Sequence, residues 1–309
     1  MSRAFVFPGQ GAQTIGMGRA LAEAYPAARA VFDEVDAALG QKLSALIWEG
    51  EQDALTLTEN AQPALMATSL AALRALEAEG IGLDGVAYVA GHSLGEYSAL
   101  AAAGSITIAD TARLLRIRGR AMQQAVPVGV GAMAALLGLS YDQAIEAASE
   151  ASQAQVCQAA NDNDPAQVVV SGHREAVERA CEIAKAMGAK RALLLPVSAP
   201  FHCALMEPAA QVMAEALGGV EIKAPQVPLV ANVLAHDVSD PEVIRRVLVQ
   251  QVTGSVRWRE SVAFMAAQGV TEFWEIGAGK ALSGMIKRSA EGVATRAVGT
   301  PEDVAAALG

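Results

Sequence analysis

Val86-Ala-Tyr-Val-Ala-Gly-His-Ser-Leu-Gly-Glu-Tyr-Ser-Ala-Leu-Ala-Ala-Ala103 is the stretch on which the fold turns. Val86 to Ala90 is a short apolar run of the kind that makes a buried strand, and Glu96 to Ala103 reads as a helix. Between them lies Gly91-His92-Ser93-Leu94-Gly95, a G-x-S-x-G pattern. In such an elbow the flanking glycines permit a strained turn that exposes the serine hydroxyl, and the following helix points its first N–H groups at developing negative charge. The pattern alone also describes an ordinary tight turn with a capping serine. A strand before it and a helix after it are what give it chemical meaning.

Working outward, Ala4-Phe-Val-Phe7 reads as a second buried strand ended by Pro8. Gly9-Gln10-Gly11 follows as a tight loop where a ligand can approach the backbone. Residues 59 to 79 look helical, with Thr58 as cap. From Gly131 the pattern changes to strand 131–138, helix 141–151 capped by Ser140, strand 155–160, a loop over Asn161 to Pro165, strand 167–171, helix 174–187 and strand 191–197. That is a β-α-β-β-α-β unit, the ferredoxin-like arrangement. A strand over Val227 to Val233, helices near 240–251 and 259–268, and a strand over Glu272 to Ile276 then complete a parallel sheet. The expected fold class is α/β: a parallel-sheet core built from residues 1–129 and 198–309, carrying a ferredoxin-like subdomain at 130–197.

The chain has 309 residues, 52% of them hydrophobic and 18% charged, with a net charge of -10. This composition suits helices packed on a sheet. The acidic balance and the absence of any Lys/Arg run argue against nucleic acid as a partner. Cys157, Cys181 and Cys203 fit neither a disulfide framework nor a metal knuckle, so a reducing compartment is expected. The opening apolar run is too short for a signal peptide, and no uncharged stretch is long enough to span a bilayer. A cytoplasmic protein, with no membrane partner and a monomer as the working expectation, follows. Thr14 stands where a dinucleotide fingerprint needs its third glycine, and Gly279-Lys280-Ala281 is no phosphate loop; no cofactor and no metal are expected.

A serine hydroxyl needs a base within hydrogen-bond reach, usually histidine. Of four histidines, His92 should point away from Ser93 across the strand end, His173 starts a helix and His236 lies in a polar segment. His202, directly after a predicted strand, is left as the base by elimination. No acidic residue announces itself as the third member of a triad, so a dyad oriented by a backbone carbonyl is possible. In helix 110–125, Arg113, Arg116 and Arg120 cluster on what should be the solvated side. Arg118 falls on the apolar face among Leu114, Leu115, Ala121 and Met122. A charge there is costly unless an anion pairs with it, either in a structural ion pair or as a clamp for a substrate carboxylate. Its nearness to the elbow helix favours the clamp.

Taken together, Phe7-Pro-Gly-Gln-Gly-Ala-Gln13, Gln62-Pro63, Gly91-His-Ser-Leu-Gly-Glu96, Arg118, Ser198-Ala-Pro-Phe-His202 and Glu275-Ile-Gly-Ala-Gly-Lys280 resemble the malonyl-CoA:acyl carrier protein transacylase family nearly end to end. The resemblance implies a hydrolase-like core with a ferredoxin-like insert, in agreement with the layout above. It implies that Ser93 takes malonyl from malonyl-CoA, releasing coenzyme A, and yields it to the phosphopantetheine thiol of acyl carrier protein in fatty acid or polyketide biosynthesis. By the same likeness His202 shuttles the proton, Arg118 pairs with the malonyl carboxylate, the backbone N–H groups of Gln10 and Leu94 form the oxyanion hole, and the Gln251 carbonyl orients the histidine. Phe201, an aromatic residue just before the histidine, points to malonyl over methylmalonyl. Ala278 and Cys203 depart from the family's frequent proline and serine.

Two rival readings remain. A serine esterase or thioesterase shares the elbow but has no use for an arginine facing its substrate, and usually runs Ser, Asp/Glu, His in chain order. A catalytically idle scaffold would bind carrier protein without taking up an acyl group. Acyl carrier protein is typically acidic, so Arg113, Arg116, Arg120, Lys190, Arg191, Lys287 and Arg288 are candidates for its docking surface.

Overall fold

Alternate side chains of β1 (Ser2–Phe7) enter two different cores. Phe5 and Phe7 join Leu65, Leu100 and Leu115 on one side; Ala4 and Val6 join Trp258, Val262 and Ile286 on the other. A strand covered on both faces must be apolar throughout, and the period of two divides its residues between the layers. The structure, a computed structural model, describes residues 2–309.

After β1 come α1 (Arg19–Ala24), α2 (Pro26–Leu39), α3 (Leu43–Glu49), α4 (Gln52–Thr56) and α5 (Thr58–Ala78), then β2 (Val86–Gly91), α6 (Gly95–Ala102) and α7 (Ile108–Gln124). The chain next forms β3 (Gly131–Leu137), α8 (Tyr141–Ser152), β4 (Cys157–Asp164), β5 (Gln167–His173), α9 (Arg174–Ala186) and β6 (Arg191–Leu194). It returns through α10 (Glu207–Gly218), β7 (Leu229–Val230), β8 (Asp237–Val238), α11 (Pro241–Thr253), α12 (Trp258–Ala267), β9 (Val270–Ile276), α13 (Ala281–Ser289), β10 (Ala294–Val298) and α14 (Pro301–Ala307).

The larger sheet has the order β10-β9-β1-β2-β7-β8, parallel except for the β7–β8 pair. The smaller one, β4-β5-β3-β6, is antiparallel throughout and has its own apolar core under α8 and α9. The architecture is therefore α/β with a parallel central sheet and a β-α-β-β-α-β unit between its halves. The capping box of α8 at Ser140 and Gln143 starts that helix where the sequence places it.

The expected loop over Asn161 to Pro165 is instead the end of β4, which runs to Asp164. Four consecutive polar residues look like a loop, but each is buried here by a specific partner. Asp162 pairs bidentately with Arg259 at 2.8 and 3.0 Å, and Asp164 with Arg288 at 2.8 Å. Asn163 holds His92 at 2.8 Å, and Asn161 bridges to Val256. The strand expected over 227–233 shrinks to Leu229–Val230, because Asn232 leaves the ladder to bind the Ser93 turn. Helices α1 to α4, α10 and the final α13-β10-α14, with the short β8, have no counterpart among the elements expected from the sequence. Arg116 is also not on the solvated side. It is 7% exposed and donates to Asn60 Oδ1 at 2.8 Å, while Arg113 and Arg120 are exposed and paired to Asp110 and Glu59.

Candidate active site

Ser93 stands between β2 and α6, beyond the C-terminal ends of the central strands, where parallel α/β sheets open a crevice. Its backbone is left-handed at φ 54°, a conformation a non-glycine residue holds only when its surroundings impose it. Both flanking glycines are required. A Cβ on Gly91 would lie 1.9 Å from Gly95 O, and one on Gly95 would lie 2.2 Å from Phe7 O. Asn232 locks the turn from outside, its Oδ1 accepting Ser93 N at 2.8 Å and its Nδ2 donating to Gly91 O at 2.7 Å.

His202 shares that unusual backbone, at φ 58°. Its Nε2 lies 2.7 Å from Ser93 Oγ and its Nδ1 2.8 Å from the Gln251 carbonyl. A carbonyl only accepts, so Nδ1 carries the proton and Nε2 is left to accept from the serine hydroxyl. Burial first, and the charge of Arg118 second, lower the His202 pKa to about 3, so the imidazole is neutral at physiological pH. Of the remaining histidines, His92 turns to Asn163, His173 accepts from Val156 N and His236 is exposed.

Arg118 is 1% exposed. Its Nη1 donates to Gln62 Oε1 at 2.7 Å, and its Nη2 to Gln251 Oε1 at 2.7 Å and Ser93 Oγ at 3.1 Å. Its direct partners are neutral, and among the described residues no carboxylate forms an ion pair with it. Burial pulls its pKa down, yet a guanidinium stays charged in proteins, so the site holds an uncompensated cation beside the Ser93 hydroxyl.

These groups line one cavity of about 670 Å³ between the loops that follow the central strands and the smaller sheet. Gln10, Ser93, Leu94, Arg118, Phe201 and His202 all face it, with Met133, Asn163 and Val169 from the smaller sheet and Leu195 just after β6. Among the described residues neither Gln10 N nor Leu94 N has a hydrogen-bond acceptor, which leaves two donors free on residues that line the same cavity as Ser93. Gln251 lies behind the cavity wall, fully buried, and does more than present its carbonyl: its Nε2 donates to Ser93 O at 2.9 Å and to Glu96 Oε2 at 2.5 Å. Cys203 is buried, and its Sγ donates to Pro200 O at 3.2 Å.

The sequence motifs assign no role to Gln62, Asn232 or Glu96, which hold Arg118, the Ser93 turn and Gln251, or to Asn163, which holds His92 and lines the cavity. Glu96 did carry a signal: it is a carboxylate in an otherwise apolar and small helix. Among the described residues no group of His, Cys, Asp and Glu side chains is arranged to hold a metal. No described helix is long and apolar enough to cross a membrane.

A family model for the acyl transferase domain matches residues 4–301. A malonyl CoA-acyl carrier protein transacylase of Escherichia coli (strain K12) is 48% identical over 305 residues, covering 99% of this chain and 98% of that one. An acyl-carrier-protein-S-malonyltransferase from Bartonella henselae superposes with a TM-score of 0.97 at 56% identity, covering 100% of this chain and 98% of its own. A malonyl-transacylase solved in complex with its type II PKS acyl-carrier protein has the same TM-score at 44% identity, covering 100% and 99%.

Proposed function

The chain belongs to the malonyl CoA-acyl carrier protein transacylases within the acyl transferase domain family, and from that premise we infer that it moves malonyl from malonyl-CoA to the phosphopantetheine thiol of acyl carrier protein through an ester on Ser93. The observation that carries this reading is the juxtaposition of a neutral His202, Ser93 and an unpaired buried Arg118 in one cavity. An esterase would have no use for that cation, and the comparisons do not favour one.

As Ser93 Oγ attacks the thioester carbonyl, His202 Nε2 takes its proton, and the Gln251 carbonyl steadies the imidazolium through Nδ1–H. The N–H groups of Gln10 and Leu94, which have no acceptor among the described residues, would hold the oxyanion. Collapse expels coenzyme A as its thiol, protonated by His202, and leaves malonyl on Ser93. The carrier's thiol then gives its proton to His202 and attacks the ester; the bond from Ser93 Oγ to the acyl carbon breaks, His202 returns the proton to Ser93 Oγ, and the malonyl thioester departs. Arg118 grips the malonyl carboxylate throughout. Neutralising Arg118 in this way also relieves the electrostatic depression on His202, so an acidic acyl group makes its own base stronger. Phe201 narrows the acyl end of the pocket in favour of malonyl. We also read the chain as a cytoplasmic monomer, with residues 130–197 as a subdomain on the core of 1–129 and 198–309.

A ping-pong route requires parallel double-reciprocal plots when malonyl-CoA and holo-carrier are varied. Intersecting lines, or no transfer from a malonyl-loaded chain freed of coenzyme A, would sink the covalent route.

A further inference from the structure

Glu96 lies in the first turn of α6, fully buried, and the reaction as described leaves it unused. Its Oε2 accepts from Gln251 Nε2 at 2.5 Å and its Oε1 from Asn232 N at 3.4 Å. The other end of the same Gln251 amide, Oε1, accepts from Arg118 Nη2 at 2.7 Å. One side-chain amide thus separates this carboxyl group from the buried cation. An amide has one accepting and one donating end, so the acceptors at Glu96 Oε2 and Ser93 O together fix which end Arg118 meets, and Glu96 is the one of them that can carry a charge.

We propose that Glu96 is a positioning residue for the acyl carboxylate: through Gln251 it presents the Arg118 guanidinium to the pocket and, when ionised, competes with the substrate for its charge. The inference rests on the reading of Arg118 as the carboxylate clamp. Burial pushes the Glu96 carboxyl up to about 8, against the opposing pull of Gln251, Asn232 and Arg118. The groups acting on it are Arg118 from α7 and the neighbouring phenol of Tyr97, itself raised by burial, while α11 and the Asn232 segment offer only neutral donors. Among the described residues no ionisable side chain of β1, β2, α5 or β7 perturbs it. At neutral pH Glu96 is mostly protonated and Arg118 attracts an acidic acyl group with its full charge. As Glu96 loses its proton the pair approaches neutrality, and a second carboxylate is drawn in less. Binding of malonyl to the ionised form takes one proton from solvent onto Glu96.

The test is the ratio of Ser93 acylation rates with malonyl-CoA and acetyl-CoA as pH rises from about 7 to about 9, since the ratio cancels pH effects common to both substrates. In the wild type it should fall by about tenfold, the size of an ordinary coupling between two sites. In Glu96→Gln, which keeps an acceptor and removes the charge, it should stay flat. The same fall in Glu96→Gln, or a flat ratio in the wild type, overturns the proposal. Should Glu96→Gln fail to fold, calorimetry on Ser93→Ala near pH 8 in buffers of different ionisation enthalpy decides the matter. Malonyl-CoA should take up a fraction of a proton beyond that seen with acetyl-CoA, and no excess uptake overturns the idea. Arg118→Ala separates the two layers: if it leaves the ratio unchanged the clamp itself fails, whereas if it collapses the ratio while Glu96→Gln behaves as wild type, only the present inference fails.

Discussion

Replacing Arg118 by alanine removes the one buried cation of the cavity, and the expected loss can be worked from its bonds. The guanidinium makes two 2.7 Å bonds, to Gln62 and Gln251, and a longer one to Ser93 Oγ. A malonyl carboxylate would exchange for these, accepting two charge-assisted bonds worth about 1.5–3 kcal/mol each. Losing both costs about 3–6 kcal/mol, or roughly a hundred- to ten-thousand-fold in kcat/KM for malonyl-CoA. Acetyl-CoA makes no such bonds. It should feel only the unpaired amides of Gln62 and Gln251, a change within about tenfold. The assay is release of coenzyme A from each donor under single-turnover conditions, with a melting curve to show that the variant is folded. If the malonyl-to-acetyl preference of Arg118→Ala moves by less than about threefold from wild type, the clamp argument is refuted.

With the His202 pKa lowered to about 3, the free enzyme's base stays neutral well below the ordinary imidazole range, so kcat/KM for acylation should show no acid limb between about pH 7 and about pH 5; a midpoint near 6.5 would contradict the geometry. Glu96 gives a stability signature. Its folded pKa of about 8 lies above the ordinary 4.5, so the unfolded chain ionises first, and stability is lost as pH rises from about 4.5 through about 8 by an amount of the order of 5 kcal/mol. Denaturant midpoints at the two ends of that window should differ less in Glu96→Gln than in wild type, and equal differences would refute the burial argument. Asn232→Ala removes the two bonds that lock the Ser93 turn, so acylation should slow by about tenfold or more in a folded chain, and an unchanged rate would show that the turn holds itself. Of the basic candidates for carrier docking, Lys190, Arg191 and Lys287 are exposed and without an ion pair among the described residues, so Lys190→Glu with Arg191→Glu should raise KM for the carrier and leave loading from malonyl-CoA unchanged.

What could be read from the sequence was the part written in local patterns. Glycines at 91 and 95 announce the elbow because their reason is steric and short-range, and Arg118 announces itself because a cation on an apolar helix face breaks the amphipathic rule. The β-α-β-β-α-β order was legible from period and caps alone. The misreadings all have long-range causes. Asn161 to Asp164 look like a loop until Arg259 and Arg288, about a hundred residues away, bury them in a strand. Arg116 looks solvated until Asn60 is placed against it. Gln62, Asn232 and Glu96 act through partners on other elements, and no spacing in one chain segment reveals such a network.

If Ser93 carries the acyl group, intact mass spectrometry after brief exposure to malonyl-CoA, followed by peptide mapping, will show it. One malonyl group is expected per chain, on the peptide containing Ser93, absent from Ser93→Ala and slow to appear in His202→Ala. An unmodified wild-type chain, or an adduct that persists in Ser93→Ala, would contradict the account.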